Sequence, residues 1–215
     1  MKKPALIFDL DGTLWDSAES VAAAWTAEGK KFLGEDFLLT KEDVYREMGK
    51  TMDQIIGDVA PNATEPTFRA NLSKHLFQAE NDYLVEHPGT PFAFVRETLE
   101  QLKKDGYRLY IVSNCQWGYI ETFLPLMPEG LFSGHLCWSD TRSDKHVTIR
   151  LMMEKSGEKE AIYIGDTLGD EKETHLAGLP FIHAAYGFGK SENPEASISS
   201  IQELPAVLGT MELRP

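Results

Sequence analysis

The chain has 215 residues, a net charge of −13, and 42% apolar against 26% charged residues, the balance of a soluble globular core with room for a smaller inserted lobe. So large an excess of acid argues against nucleic acid or an anionic membrane as the main partner, because either selects a basic face. Two cysteines without metal-ligand spacing, a start (MKKPALIFDLDG) with too short an apolar run for a signal peptide, and no stretch of membrane-spanning length lead to the expectation of a cytoplasmic protein, monomer or homodimer.

In chain order, residues 5–10 form an apolar run of strand character that breaks off in Asp9, Leu10, Asp11, Gly12 and Thr13. From about residue 16 to residue 86 only helical patterns follow, broken at Gly29, Gly34, Gly49, Gly57 and APNATEP. So long a helical stretch exceeds an ordinary crossover. It predicts a helical cap, residues 15–86, inserted after the first strand of a core made of residues 1–14 and 87–215. Trp25, Phe32 and Leu33 read as cap core, and Trp15 as either a pocket wall or plain packing. Thr90 as N-cap and Pro91 at the first helical position predict a helix with Phe92, Val95, Leu99 and Leu102 on one face, ended by Gly106.

Strand-like runs recur at 107–112, ending in Ser113 and Asn114, and at 135–138, 161–164 and 181–185. Lys145 stands near a helix start, and Asp166 and Asp170 follow the run at 161–164. Cys115 reads as a small buried thiol, and none of the six histidines as a ligand. Strands alternating with helices predict a doubly wound, Rossmann-like parallel-sheet α/β core, and such sheets bind ligands beyond the carboxyl ends of their strands. Asp9, Asp11, Asp166, Asp170, Ser113 and Lys145 would therefore meet in one pocket. Crowded carboxylates without His or Cys suggest Mg²⁺. The metal and Lys145 would neutralise the oxygens of a transferring phosphoryl group, with Ser113 and backbone amides around Leu10–Thr13 holding the rest. A carboxylate can itself be the nucleophile. A small phosphate ester is the partner such a pocket suits.

These residues resemble the motifs of the haloacid dehalogenase superfamily, in the family's order: DLDGT, then Ser113-Asn114, then Lys145, then GDTLGDEKETHLAG, with HPGTP before the second strand. The similarity spans nearly the whole chain. It is strongest to the branch with a helical cap after the first motif, which holds phosphoglycolate-phosphatase-like and β-phosphoglucomutase-like enzymes. The resemblance implies a nucleophile at Asp9 and a general acid/base at Asp11. Gly12, Thr13 and Asn114 would contact the phosphate. Mg²⁺ would sit on Asp9, Asp166 and the Asp11 carbonyl, with Asp170 in support. Lys50, in EMGKTMDQI, falls where related caps lower a loop over the leaving group. His146 follows Lys145 where this branch usually has proline. Asp11 argues against dehalogenation, since dehalogenases of the superfamily lack the second aspartate. A response-regulator receiver is shorter and has neither the insertion nor the fourth motif. A catalytically silent scaffold is disfavoured because every motif residue is present. Hydrolysis is the commoner use of this architecture, but no residue separates a phosphatase from a phosphomutase.

Overall fold

A computed structural model describes residues 3–211. Six parallel strands form the sheet: β1 (Ala5–Phe8), β4 (Arg108–Ser113), β5 (Gly134–Cys137), β6 (Ala161–Gly165), β7 (Phe181–Ala184) and β8 (Ala196–Ile198), in the order β5-β4-β1-β6-β7-β8. The doubly wound α/β expectation holds. Side chains alternate along each strand, and both faces are covered, which is why the strands read as unbroken apolar runs. Leu6, Phe8, Ile111, Ile162 and Ile164 enter one core layer with Leu99 and Leu102 of α5 (Val95–Lys104). Ala5, Ile7, Tyr110, Val112 and Tyr163 enter the other with Ile149 and Met152 of α8 (Lys145–Ser156). Burying each large apolar side chain contributes about 1.5–3 kcal/mol.

Register positions the chemistry. Phe8 is level with Ile111 on one side and Ile164 on the other. The residues just beyond β1, β4 and β6 therefore emerge side by side, at the point where the chain order reverses about β1.

Between β1 and β4 the chain forms α1 (Ala18–Leu33), α2 (Lys41–Glu47), α3 (Met52–Val59) and the long α4 (Pro66–Glu86). Trp25 of α1 packs on Phe77 of α4, and Leu72, Leu76 and Leu84 of α4 are fully buried. Gly29 and Gly57 do not break helices as expected. They lie inside α1 and α3, and Phe37 occupies the space a side chain at Gly29 would need. Pro66 starts α4, with the Glu65 carboxylate accepting from the amides of Thr67 (2.9 Å) and Phe68 (2.5 Å).

Thr90 and Pro91 also correct the expectation. They form β3, which pairs antiparallel with β2 (Trp15–Asp16), so the two linkers to the helical segment zip together. Pro91 fits because a two-strand edge leaves its missing N–H unneeded. Gly89 permits the approach, since a Cβ there would lie 2.8 Å from the Trp15 ring and 2.9 Å from the Asp16 carbonyl. The helix begins four residues later, at Val95, after Phe94 turns the chain at φ 66°.

Candidate active site

The strand ends carry the acids. Asp9 follows β1 directly, its amide donating to Ile164 O at 2.8 Å, and its side chain is buried. Asp166 follows β6, fully buried, with Oδ2 accepting from the amides of Phe188 (2.8 Å) and Gly189 (3.2 Å). Asp170, at the start of α9 (Leu168–Ala177), accepts through Oδ2 from the Thr167 amide and hydroxyl in a capping box, and through Oδ1 from Lys145 Nζ at 2.5 Å. It thus caps a helix and pairs the lysine at once. Carboxylate oxygens of Asp9, Asp166 and Asp170 lie within 4.8 Å of one another.

Lys145, buried at the first position of α8, is 3.1 Å from Asp9 Oδ1 but not aligned to donate to it. Asp9 Oδ1 and Asp166 Oδ1 are both buried without a hydrogen-bond partner among the described residues. Burial and the Asp170 charge push Asp9 up to about 7, with Lys145 opposing. Burial, Asp170 and Asp9 hold Asp166 well above the ordinary carboxylate range. Burial disfavours the charge on Lys145, but Asp170 and Asp9 outweigh it and raise its pKa. Unfavourable negative charge is concentrated at one point, an arrangement that a cation would relieve.

Asp11 is held differently. Its Oδ1 accepts from Trp15 Nε1 (2.9 Å), Ser17 Oγ (2.7 Å) and Tyr119 OH (2.8 Å), which leaves Oδ2 clear of them. Burial lifts its pKa to about 6 against the pull of these donors. The amides of Gly12 and Thr13 donate back to Trp15 O (3.0 Å) and Leu10 O (3.3 Å). Both amides are engaged in closing the turn, while Thr13 Oγ1 is buried without a partner among the described residues. Gly12 adopts φ 78°, and a Cβ there would collide with the Asp166 carboxylate.

Above the acids lies a cavity of about 40 Å³ lined by Asp9, Asp11, Ser113, Lys50 and residues of the helical segment. That is room for no more than a few water molecules, at roughly 10–15 Å³ each by this measure. A larger groove, about 680 Å³, runs outside between α3, α4 and the loop after β4, and is lined by none of Asp9, Asp11, Asp166 and Asp170. Asn114 Nδ2 donates to Gly49 O at 2.8 Å, tying that loop to the helical segment. Lys50 reaches the cavity, but its ammonium is bound by Glu47 (3.0 Å) and Asp58 (2.7 Å).

A family model described as haloacid dehalogenase-like hydrolase matches residues 6–184. The chain belongs to this family. A phosphoglycolate phosphatase of Aquifex aeolicus is 26% identical to this haloacid dehalogenase-like hydrolase over 206 residues, 93% of each chain. One of Photorhabdus laumondii is 28% identical, over 98% of this chain and 94% of its own. A haloacid dehalogenase-like family hydrolase from Streptococcus pneumoniae shares the fold with a TM-score of 0.76 at 20% identity, over 96% of this chain and 98% of its own.

Several residues of this haloacid dehalogenase-like hydrolase escaped sequence reasoning. Ser17 and Tyr119 lie 102 residues apart, and only the fold brings both to Asp11. Phe188 and Gly189 come from a loop after β7 with no recognisable pattern. Trp15 is fully buried, and it is also a donor to Asp11. Glu80, facing inward from α4, is 4% exposed and accepts from Trp25 Nε1 at 2.9 Å. An acid among the apolar positions of α4 was the available signal. His146, standing where proline is usual, binds Glu173 through both its amide (2.9 Å) and its ring (2.8 Å), and Lys145 still opens the helix. Cys115 is buried, and burial beside Cys137 raises its thiol well above the ordinary value.

Proposed function

We propose that this hydrolase is a Mg²⁺-dependent phosphatase that cleaves a small phosphate monoester through an aspartyl phosphate at Asp9. The observation that carries the reading is the pair of buried carboxylate oxygens, Asp9 Oδ1 and Asp166 Oδ1, that lack hydrogen-bond partners. Among the described residues the one ammonium beside Asp9, Lys145, is shared with Asp170, and Asp166 has no ion-pair partner. Buried carboxylates need a cation, and an all-oxygen donor set fits a hard divalent ion. Asp9, Asp166 and the Asp11 carbonyl would hold Mg²⁺, with Asp170 behind them. Once bound, the ion would offset negative charge on the phosphoryl oxygens. The names of the curated relatives, phosphoglycolate phosphatases, support phosphate chemistry.

In this scheme an Asp9 oxygen attacks phosphorus while the bond to the leaving oxygen breaks. Asp11 gives that oxygen a proton through Oδ2, the atom its three donors leave clear. Asp11 then takes a proton from the water that cleaves the acyl phosphate, releasing inorganic phosphate and restoring Asp9. Ser113 and Lys145 hold phosphoryl oxygens. Residues 15–86 act as the cap, and a cavity of about 40 Å³ implies that they swing away to admit substrate and close to exclude water.

The test is phosphate release from p-nitrophenyl phosphate and a set of alkyl phosphates, with Mg²⁺ and with chelator. Release that depends on Mg²⁺ is expected, and Asp9→Asn should abolish it with an unchanged circular dichroism spectrum. An active Asp9→Asn enzyme would remove Asp9 as nucleophile, and chelator-resistant release would remove the metal.

A further inference from the structure

The outer groove of about 680 Å³ has a charge unlike that of the chain around it. The chain carries −13 overall, yet the charged side chains lining the groove are Arg69, Lys74 and Arg142 against Asp53 alone. Two of the four tryptophans, Trp117 and Trp138, line it as well. Its volume lies within the roughly 300–1,000 Å³ of small-molecule sites. One wall comes from α3 and α4, the other from the loop after β4 and from α7 (Trp138–Thr141). Gln116 lines both the groove and the inner cavity, and its Nε2 donates to Asn81 Oδ1 (2.9 Å) and Glu80 Oε2 (3.3 Å). A tethered side chain thus stands between the two spaces.

The aromatic and cationic groups are held in place but not used up. Trp117 Nε1 donates to Asp140 Oδ1 at 3.0 Å, and its carbonyl accepts from Asn81 Nδ2 at 2.8 Å, while 60% of the residue stays exposed. An indole fixed at its edge and otherwise bare is a stacking platform. Arg142 ends α7 at φ 49°, a left-handed conformation that glycine usually takes there. Its guanidinium lies 5.4 Å from the centre of the Trp138 ring and makes no ion pair among the described residues. Lys74 is exposed and likewise without an ion pair among them. Arg69 gives one N–H to Asp53 O at 3.3 Å, which leaves most of its five donors for a ligand.

We infer that this groove binds a nucleoside polyphosphate, with the base stacked on Trp117 and the phosphates gathered by Arg69, Lys74 and Arg142. Guanidinium forks match phosphate oxygens, and an indole accepts the flat face of any base. Three cations call for a polyanion, since a single charge would leave two of them unmet. An acidic peptide would supply the charge without the flat ring. The inference is independent of the phosphatase reading, because none of Asp9, Asp11, Asp166 and Asp170 lines the groove. Its walls belong to the helical segment on one side and to the core on the other, so the bound nucleotide would tie the two together and oppose their separation.

The test uses metal-free protein, in which the acids at the strand ends repel phosphate and the groove attracts it. Titration with ADP, followed by calorimetry and tryptophan emission, should show one saturable site with quenching. Adenosine and pyrophosphate each carry half of the recognition and should bind at least about tenfold more weakly. Trp117→Ala should remove the quenching and weaken ADP by about tenfold while sparing pyrophosphate. Lys74→Ala should weaken ADP and pyrophosphate alike, by about threefold. Both residues are exposed, and unchanged circular dichroism would confirm that the variants fold. Bound ADP should slow amide exchange on both walls, in α4 and in residues 116–118. The inference is overturned by the lack of a saturable site, or by variants that bind ADP as the wild type does. Pyrophosphate binding as tightly as ADP would reduce the groove to a plain anion site and overturn it too. Hexaglutamate displacing ADP at equal concentration would make it a peptide-docking surface instead. Protection confined to the ends of β1, β4 and β6 would place ADP in the inner cavity and refute the groove.

Discussion

Replacing Glu80 with glutamine should flatten a pH dependence of stability that the wild-type chain carries. Glu80 is buried on α4 with one carboxylate oxygen held by Trp25 and Gln116. Burial raises its pKa from 4.5 to about 8, although Trp25 pulls it down, and Asp11 across the cavity adds to the rise. A group with a raised folded-state pKa keeps a proton that the unfolded chain has released. Its contribution is therefore fully present below 4.5 and is lost as the pH climbs toward 8. At about 1.4 kcal/mol per pH unit the loss reaches roughly 4 kcal/mol by pH 8, a large part of the ~5–15 kcal/mol that holds a typical domain together. Glutamine preserves the acceptor for Trp25 and cannot ionise. Urea denaturation of metal-free protein at pH 5 and pH 8 should show the wild type losing about 4 kcal/mol more than the variant. Asp9, Asp11, Glu47 and Lys50 face the same cavity and titrate in both proteins, so the difference reports Glu80 together with its coupling to Asp11. Parallel losses would refute the reasoning and mean that water reaches the carboxylate in the native state.

How far the site could be read from the sequence follows from how local each signal is. Asp9, Asp166 and Lys145 were legible because a buried strand or a helix start fixes where the next side chain points, and the parallel order of the strands then brings those ends together. The strand runs at 107–112 and 161–164 were clear because both of their faces are buried. Thr90 and Pro91 misled because a helix start and an edge strand favour similar residues. What decides between them is the pairing with Trp15 and Asp16, about 75 residues earlier in the chain. Gly29 was read as a break on propensity, but the contact with Phe37 favours a residue without a side chain inside the helix. Tyr119 as a partner of Asp11 and the Gln116–Glu80–Asn81 network were not legible at all. Each joins residues far apart in the chain, which no short spacing encodes, whereas Trp15 and Ser17 lie only a few residues beyond Asp11.

Two further predictions bear on the join between segment and core and on the roles of the two aspartates. Asn114→Ala removes the hydrogen bond to Gly49 O, worth about 1 kcal/mol. It should speed amide exchange around Lys50 and lower kcat/KM by about fivefold, and unchanged exchange would mean that this contact does not hold the segment closed. Asp11→Asn addresses why the first strand ends in two acids. Asparagine Oδ1 can still accept from Trp15, Ser17 and Tyr119, so the turn should stay as it is while the proton is lost. An alkyl leaving group needs that proton and nitrophenolate hardly does, so the variant should lose about 10²–10⁴-fold on alkyl phosphates and much less on phosphoenzyme formation from p-nitrophenyl phosphate. In the proposed mechanism hydrolysis of the phosphoenzyme needs Asp11 as base, so aspartyl phosphate should accumulate, and rapid quench should show a burst near one nitrophenolate per site before slow turnover. Equal losses on both substrates without a burst would make Asp11 a structural anchor for Trp15, Ser17 and Tyr119, and the proton would have to come from elsewhere.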